Sequence, residues 1–412
     1  MEIRALMKAM WRSRTGPLLV AAQVAITLAV LTNVAYIVQQ RLETAGKPTG
    51  MDVDNIFWAT VQPYVQEYNY EAAARSDLAW LNSLPAVVAA TTTNILPQTW
   101  SGLGLPFAAK AEQLNTPNGG TGGRIYYADE RFIDAFGLKL AAGRNFAASM
   151  VVPPEADMGA SLATWPPEMI VTREMADKLF PGGDALGKTV YVGLVNRSST
   201  IIGIVDHMQG VPIGGRFEQF GIQIVLVPLT PPGPNSLYVV RTKPGERDAT
   251  MARVEKELAD RQPGRFLGRV EAFSRTASLT RAGYRSSAII LSVVGLFVLA
   301  VTVVGIVGLA AFNVATRTKQ LGTRRAIGAR KFHILRYFLV ENWIITTIGC
   351  LVGCTLALAA GVKLSVMYMM PRLPLYYLVA GVLCLWAVGF FAVLLPARRA
   401  ASISPATATR TV

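Results

Sequence analysis

Two histidines, three cysteines and a glycine run are the obvious places where this 412-residue chain could carry chemistry. His207 follows Asp206, and His333 lies in a strongly basic stretch beyond an apolar run. One histidine on each side of such a run excludes a histidine-built metal site. A Ser-His-Asp triad could run only through His207. Cys350 and Cys354 stand four apart inside one apolar run and Cys384 inside another, where thiols read as small packing residues. Gly119, Gly120, Gly122 and Gly123 spell GGTGG, but no Lys-Ser/Thr follows, so a phosphate loop is excluded and a flexible turn is expected. No nucleotide motif and no catalytic set stand out. The residues therefore predict no catalysis, metal or cofactor on this chain.

The densest constellation is RTKQLGTRRAIGARKFHILR, Arg317–Arg336. It holds Arg317, Lys319, Arg324, Arg325, Arg330, Lys331 and Arg336 without one acid, and Gly322 and Gly328 interrupt it. Ala326, Ile327, Phe332, Ile334, Leu335 and Phe338 set apolar anchors among the charges. That mixture suits a short helix that rests on lipid and fits a groove of another protein. The plainer alternative is a solvated loop whose charges only fix orientation.

The elements that position this loop are apolar. Hydrophobic residues make up 52% of the chain and charged ones 16%, against about 25% charged in soluble domains. Four stretches, 16–39, 286–312, 338–361 and 374–395, are long enough to cross a bilayer, which takes about 20 apolar residues. The first reads as a retained span rather than a cleaved leader. The stretch from about 40 to 290 has as many acids as bases. The net charge of +14 therefore sits beside the spans, where Glu2 and Glu341 are the only acids. Basic flanks place both termini, the coupling loop 313–337 and the tail 396–412 in the cytoplasm. The block 40–285 and the short loop 362–373 then lie outside. Residues 1–15, with Ile3, Leu6, Met7, Met10 and Trp11 on one face and Arg4, Lys8 and Arg12 on another, predict an interfacial helix on membrane lipid.

The outer block reads as α+β. Strands are expected at Asn55–Tyr64 and Ala86–Ile95 around a helix at Glu71–Leu84. The pattern repeats at Ser236–Thr242, Arg247–Arg261 and Arg265–Phe273. Two β-α-β units around an insertion predict a split ferredoxin-like subdomain, 40–115 with 230–285, and an inserted subdomain 116–229. In the insertion, strands are expected at Thr200–Asp206 and Ile222–Pro228 and a helix at Arg173–Phe180. Gly295, Gly305 and Gly308 in the second span are small enough for close packing between two subunits.

Here the chain resembles a family. RTKQLGTRRAIGA followed by FLVE at Phe338–Glu341 is similar to the loop and third-span start of MacB/FtsX-type ABC transporter permeases. PARRAASISPATATR at Pro396–Arg410 resembles that family's ending. GRNF at Gly143–Phe146, MIVTREMADKLFPGGDALGKTV at Met169–Val190 and IIGIVDHMQG at Ile201–Gly210 resemble the MacB periplasmic core domain. The chain departs at Gln320 and Thr407, where the family carries acids, which suits one member of a permease pair. The resemblance implies a bacterial inner-membrane permease subunit that passes the motion of two cytoplasmic ABC ATPase chains to its periplasmic domains. ATP and Mg would be bound by the ATPase. The implied docking set is Arg317, Gln320, Leu321, Gly322, Arg324, Arg325, Ala326, Ile327, Gly328, Ala329, Phe332 and Glu341. A second permease copy or a paralogue completes the dimer, and an adaptor with an outer-membrane channel would serve efflux. An FtsX-like regulator of an outside enzyme and a Lol-like extractor of lipoproteins are the alternatives. Nucleic acid is not among the expected partners.

Overall fold

The computed structural model describes residues 15–65, 67–99, 102–116, 119–152, 165–210, 221–231, 236–318, 323, 327, 330–368 and 372–402. The expected interfacial helix at 1–15 lies outside them, save for Thr15. The chain divides after Thr44 and before Tyr284 into a sheet unit, 45–283, and a helical unit made of the chain on either side.

The helical unit opens with α1 (Thr15–Gly46). The sheet unit runs β1 (Ile56–Pro63), α2 (Tyr70–Ser83) and β2 (Val87–Thr93). An insertion follows with β3 (Gly104–Ala108), β4 (Thr121–Tyr127), α3 (Phe132–Phe136), β5 (Leu140–Gly143), β6 (Glu168–Thr172), α4 (Arg173–Leu179), β7 (Thr189–Val192), β8 (Arg197–Val205) and β9 (Ile224–Val227). The unit returns through β10 (Ser236–Thr242), α5 (Arg247–Glu257) and β11 (Arg265–Ala272). Three long helices complete the chain: α6 (Phe273–Thr316), α7 (Lys331–Tyr368) and α8 (Leu375–Ser402).

The first sheet has the order β11-β1-β10-β2, antiparallel throughout, which is the ferredoxin-like arrangement of two β-α-β units. Side chains alternate across a strand. Phe57, Ala59 and Val61 turn toward Leu81, Val254 and Leu258 of the helical layer, while Ile56 and Trp58 turn the other way. Asn69 caps α2, its Oδ1 accepting from the Ala72 amide at 2.9 Å. Asp77 and Arg265 form an ion pair with both side chains fully buried, and Tyr238 donates to Asp77 at 2.7 Å.

The second sheet closes on itself. β7 pairs with both β3 and β8, so β8-β6-β9-β4-β3-β7 forms a ring, with β5 on the free part of β8. Small barrels are filled by side chains. Here Phe107, Ile125, Tyr127, Met169, Val171 and Val225 form one core. The alternate residues Tyr126, Ile170, Ile224 and Leu226 face outward to join Ile56, Trp58 and Val239 of the first sheet. Strands such as β9 are thus buried on both faces and read as continuous apolar runs.

Two expectations change. The insertion opens at β3, earlier than 116, because Leu105 and Phe107 pack in the second core. The glycine run is not a free turn. Gly122 and Gly123 belong to β4, and a side chain on Gly123 would lie 2.9 Å from the Phe107 ring.

Among the described residues, four helices are long and apolar enough to cross a membrane: Thr15–Glu43, Phe273–Thr316, Lys331–Met367 and Leu375–Ser402. Within their unit, α1 is the hub. Gly349 and Gly353 of α7 form a small-xxx-small pair against it; a Cβ there would sit 2.7 Å from the Ala21 carbonyl oxygen and 2.9 Å from that of Ala25. Polar side chains tie α1 to both neighbours. Toward α6, Thr27 shares a buried hydroxyl hydrogen bond with Thr302 at 2.6 Å, and Gln23 donates to the Val301 carbonyl at 2.9 Å in a more exposed position; toward α7, Asn33 donates to the Ala357 carbonyl at 3.2 Å.

Candidate functional site

The basic end of the helical unit is built from the last turn of α6 and the first turns of α7. α6 runs to Thr316, and α7 already begins at Lys331. The end of the expected docking stretch, Lys331–Arg336, is therefore the start of a spanning helix. Ile334 and Phe338, one turn apart, are buried with Ile306, Ala310 and Ala397, which fixes α7 against α6 and α8. Tyr337 stacks edge-on against Phe338. The apolar anchors thus divide into two groups. Ile334 and Phe338 point inward, whereas Ile327 and Phe332 stand 83% and 66% exposed. Arg330, Lys331 and Arg336, close to them in sequence, are exposed as well, and so are Arg398 and Arg399 near the end of α8. α7 has no acid in its first turn, so these cations work against its own dipole.

One acid lies beneath this surface. Glu341 is 3% exposed, and its carboxylate lies 3.3 Å from Nη1 of Arg317. The same nitrogen donates to the Tyr337 hydroxyl at 3.0 Å. Glu341 is thereby tied to the end of α6. Arg317, the first residue of the basic stretch, becomes a strut between two helices.

Of the sequence-predicted set, Arg317 and Glu341 come together, and Ile327 and Phe332 are exposed. Gln320, Leu321, Gly322, Arg324, Arg325, Ala326, Gly328 and Ala329 lie outside the described residues, as does Thr407. Tyr337 was not among the expected residues. Its signal was its place one helical turn before Glu341. The dimer-packing expectation is corrected for two glycines. A Cβ on Gly305 would meet Gln23 of the same chain at 2.2 Å, and one on Gly295 would meet Leu31 and Val34 at 3.4 Å, so both face α1. Gly308 faces open space. In the sheet unit, His207 bonds Glu174, not Asp206, and that hydrogen bond holds the imidazole above its ordinary pKa. Asp206 is engaged by Arg173 at 3.0 Å.

Comparison with known proteins gives two family matches. Residues 18–257 match the MacB-like periplasmic core domain, and residues 292–405 match the FtsX-like permease C-terminal domain. The chain belongs to the MacB/FtsX family of ABC transporter permeases. Among its relatives, the macrolide export ATP-binding/permease protein MacB of Neisseria meningitidis serogroup A is 27% identical over 327 residues, covering 76% of this chain and 47% of that protein. The MacB of Neisseria gonorrhoeae is 28% identical over 330 residues, with the same coverage. This permease thus spans about half the length of the curated relatives it matches. Among solved structures, the periplasmic region of MacB from Actinobacillus actinomycetemcomitans aligns at 14% identity with a TM-score of 0.33, covering 57% of this chain and 97% of that one. The extracellular domain of the noncanonic ABC-type transporter YknZ aligns at 14% identity and 0.31, covering 52% and 100%.

Proposed function

We propose that this permease couples a separate cytoplasmic ABC ATPase to movement of its sheet unit outside the membrane, and so drives export of a substrate from the outer side. The observation that carries this reading is that Ile327 and Phe332 are exposed in a stretch that also exposes Arg330, Lys331 and Arg336. Exposed apolar side chains rimmed by charge mark a protein interface. Burial of Ile334 and Phe338 and the Arg317–Glu341 link tie that surface to the bundle, so a force applied there reaches α6 and α7 together. The positive-inside rule puts the basic end, and with it both termini, in the cytoplasm and the sheet unit in the periplasm. The relatives' name joins ATP binding with macrolide export, and their unmatched half leaves room for the ATPase. Two ATPase chains and a second permease, identical or a paralogue, complete the machine. ATP and Mg are bound by the ATPase. Affinity purification of the chain in mild detergent, with mass spectrometry of what copurifies, tests this. An ABC ATPase with a permease is the expected outcome, and repeated recovery of the permease without an ATPase would overturn it.

A further inference from the structure

The ferredoxin-like sheet opens into a cavity of 520 Å³ beside the first turns of α6. Small-molecule sites take about 300–1,000 Å³. We propose that this cavity binds an amphipathic organic anion, with its apolar body against Trp58, Ile95 and Leu237 and its charged group at Arg269.

The wall supplies an apolar floor. Trp58 and Ile95 are buried, and Leu237 lies on β10 beside them. The Trp58 ring is held in place, since its Nε1 donates to the Thr276 hydroxyl at 3.2 Å. Around this floor stand neutral hydrogen-bonding groups: Thr60, Asn94, Thr276 and Thr280. A few polar groups over an apolar floor orient a ligand without repelling it. The far wall is preorganised. Gln98 adopts a left-handed φ of 65°, costly for a residue with a side chain, and is pinned there. Its amide donates to the Gly210 carbonyl at 2.7 Å, its side chain to that of Gln209 at 2.8 Å, and its own carbonyl accepts from Thr280 at 3.1 Å.

The mouth sets the charge. The pairing of β1 with β11 shifts between Ala59 and Val61, which leaves an extra residue in β11, and Arg269 of that segment lines the opening. Glu271 is the one acid of the lining. It lies 3.9 Å from Arg269 and 3.8 Å from Arg275, so two cations share one carboxylate and one positive charge is left over. An anionic group on the ligand would neutralise it. This site stands apart from the ATPase reading and needs neither ATP nor a partner.

The test uses the full chain in lipid nanodiscs and two probes that share a body, 2-naphthalenesulfonate and the neutral 2-naphthalenemethanol, followed by ligand-observed NMR titration. Leu237→Trp and Thr280→Trp, placed on different elements, each fill the cavity; only variants that keep the parent's thermal midpoint are compared. The expected result is saturable sulfonate binding, millimolar or tighter, that both filled variants abolish. Arg269→Glu should weaken the sulfonate about fivefold, as for an exposed charge contact, and leave the alcohol unchanged. Equal binding to parent and filled variants, or no saturable binding to the parent, would overturn the site. Insensitivity of the sulfonate to Arg269→Glu would overturn its preference for anions.

Discussion

The contact between α1 and α7 makes a sharp prediction because three glycines of the helical unit provide their own control. Replacing Gly349 or Gly353 by alanine puts a methyl group against the backbone of α1. The obstructing atoms are the Ala21 oxygen at 2.7 Å with Val24 Cβ at 2.8 Å, and the Ala25 oxygen at 2.9 Å with its Cα at 3.0 Å. None of these can rotate aside, so α1 must retreat by roughly 0.7 Å to reach ordinary contact at Gly349. Overpacking of this kind costs about 1–3 kcal/mol. Alanine returns up to about 1 kcal/mol of helix propensity over glycine. Against the full propensity gain, the net loss is up to about 2 kcal/mol per site, or several degrees of thermal midpoint at about 2–4 °C per kcal/mol. The double variant should cost less than the sum, because a displaced α1 already clears the second methyl. Gly308→Ala meets nothing within 4 Å and should be neutral or stabilising. Thermal unfolding of the three single variants and the double in one detergent reads all of this. Equal midpoints for Gly349→Ala and Gly308→Ala would refute the packing argument.

The Arg317–Glu341 pair should show a coupling of about 1–2 kcal/mol in a double-mutant cycle of Arg317→Met and Glu341→Gln, because Glu341 is buried while Arg317 keeps some access to water; a coupling near zero would make the strut incidental. Asp77→Ala leaves Arg265 as an unpaired buried cation and should cost the sheet unit about 3–5 kcal/mol by chemical denaturation, whereas a loss below about 1 kcal/mol would contradict the burial. Burial pushes the Asp129 carboxyl up to about 6, against hydrogen bonds from Thr91 and the Arg131 amide that pull it down. A raised carboxylate pKa means that the folded state takes up the proton first, so stability from this group rises as pH falls from about 6 toward 4 and is lost again above 6. Asp129→Asn should flatten the stability profile over that window, and an unchanged slope would show that another group sets it.

The spans were legible because a bilayer demands long apolar runs, and the ferredoxin-like strands because period-two alternation survives when each face meets its own core. Phe57, Ala59 and Val61 against Ile56 and Trp58 show that pattern directly. The closed ring was not legible. It depends on β7 pairing with two strands far apart in sequence, and β9, buried on both faces, carries no alternation. Small residues signal close helix contact but not which helix makes it. Gly305 thus reads equally well as a dimer seam or as a seat for Gln23, while Gly349 and Gly353 carried the same signal in plain view. At the basic end, composition marks the surface, but only the packing of Ile334 and Phe338 shows which apolar residues are left for a partner. The role of Tyr337 appears only once α6 brings Arg317 to it.

The coupling account rests on the surface around Ile327 and Phe332. The most direct test is copurification of the ATPase with the parent chain and with the Ile327→Asp, Phe332→Asp double variant, each in the same mild detergent and at equal permease yield. The account predicts that the parent retains the ATPase and that the double variant, still inserted in the membrane, loses it by tenfold or more, about 1.4 kcal/mol or above. Undiminished recovery of the ATPase with the double variant would contradict it.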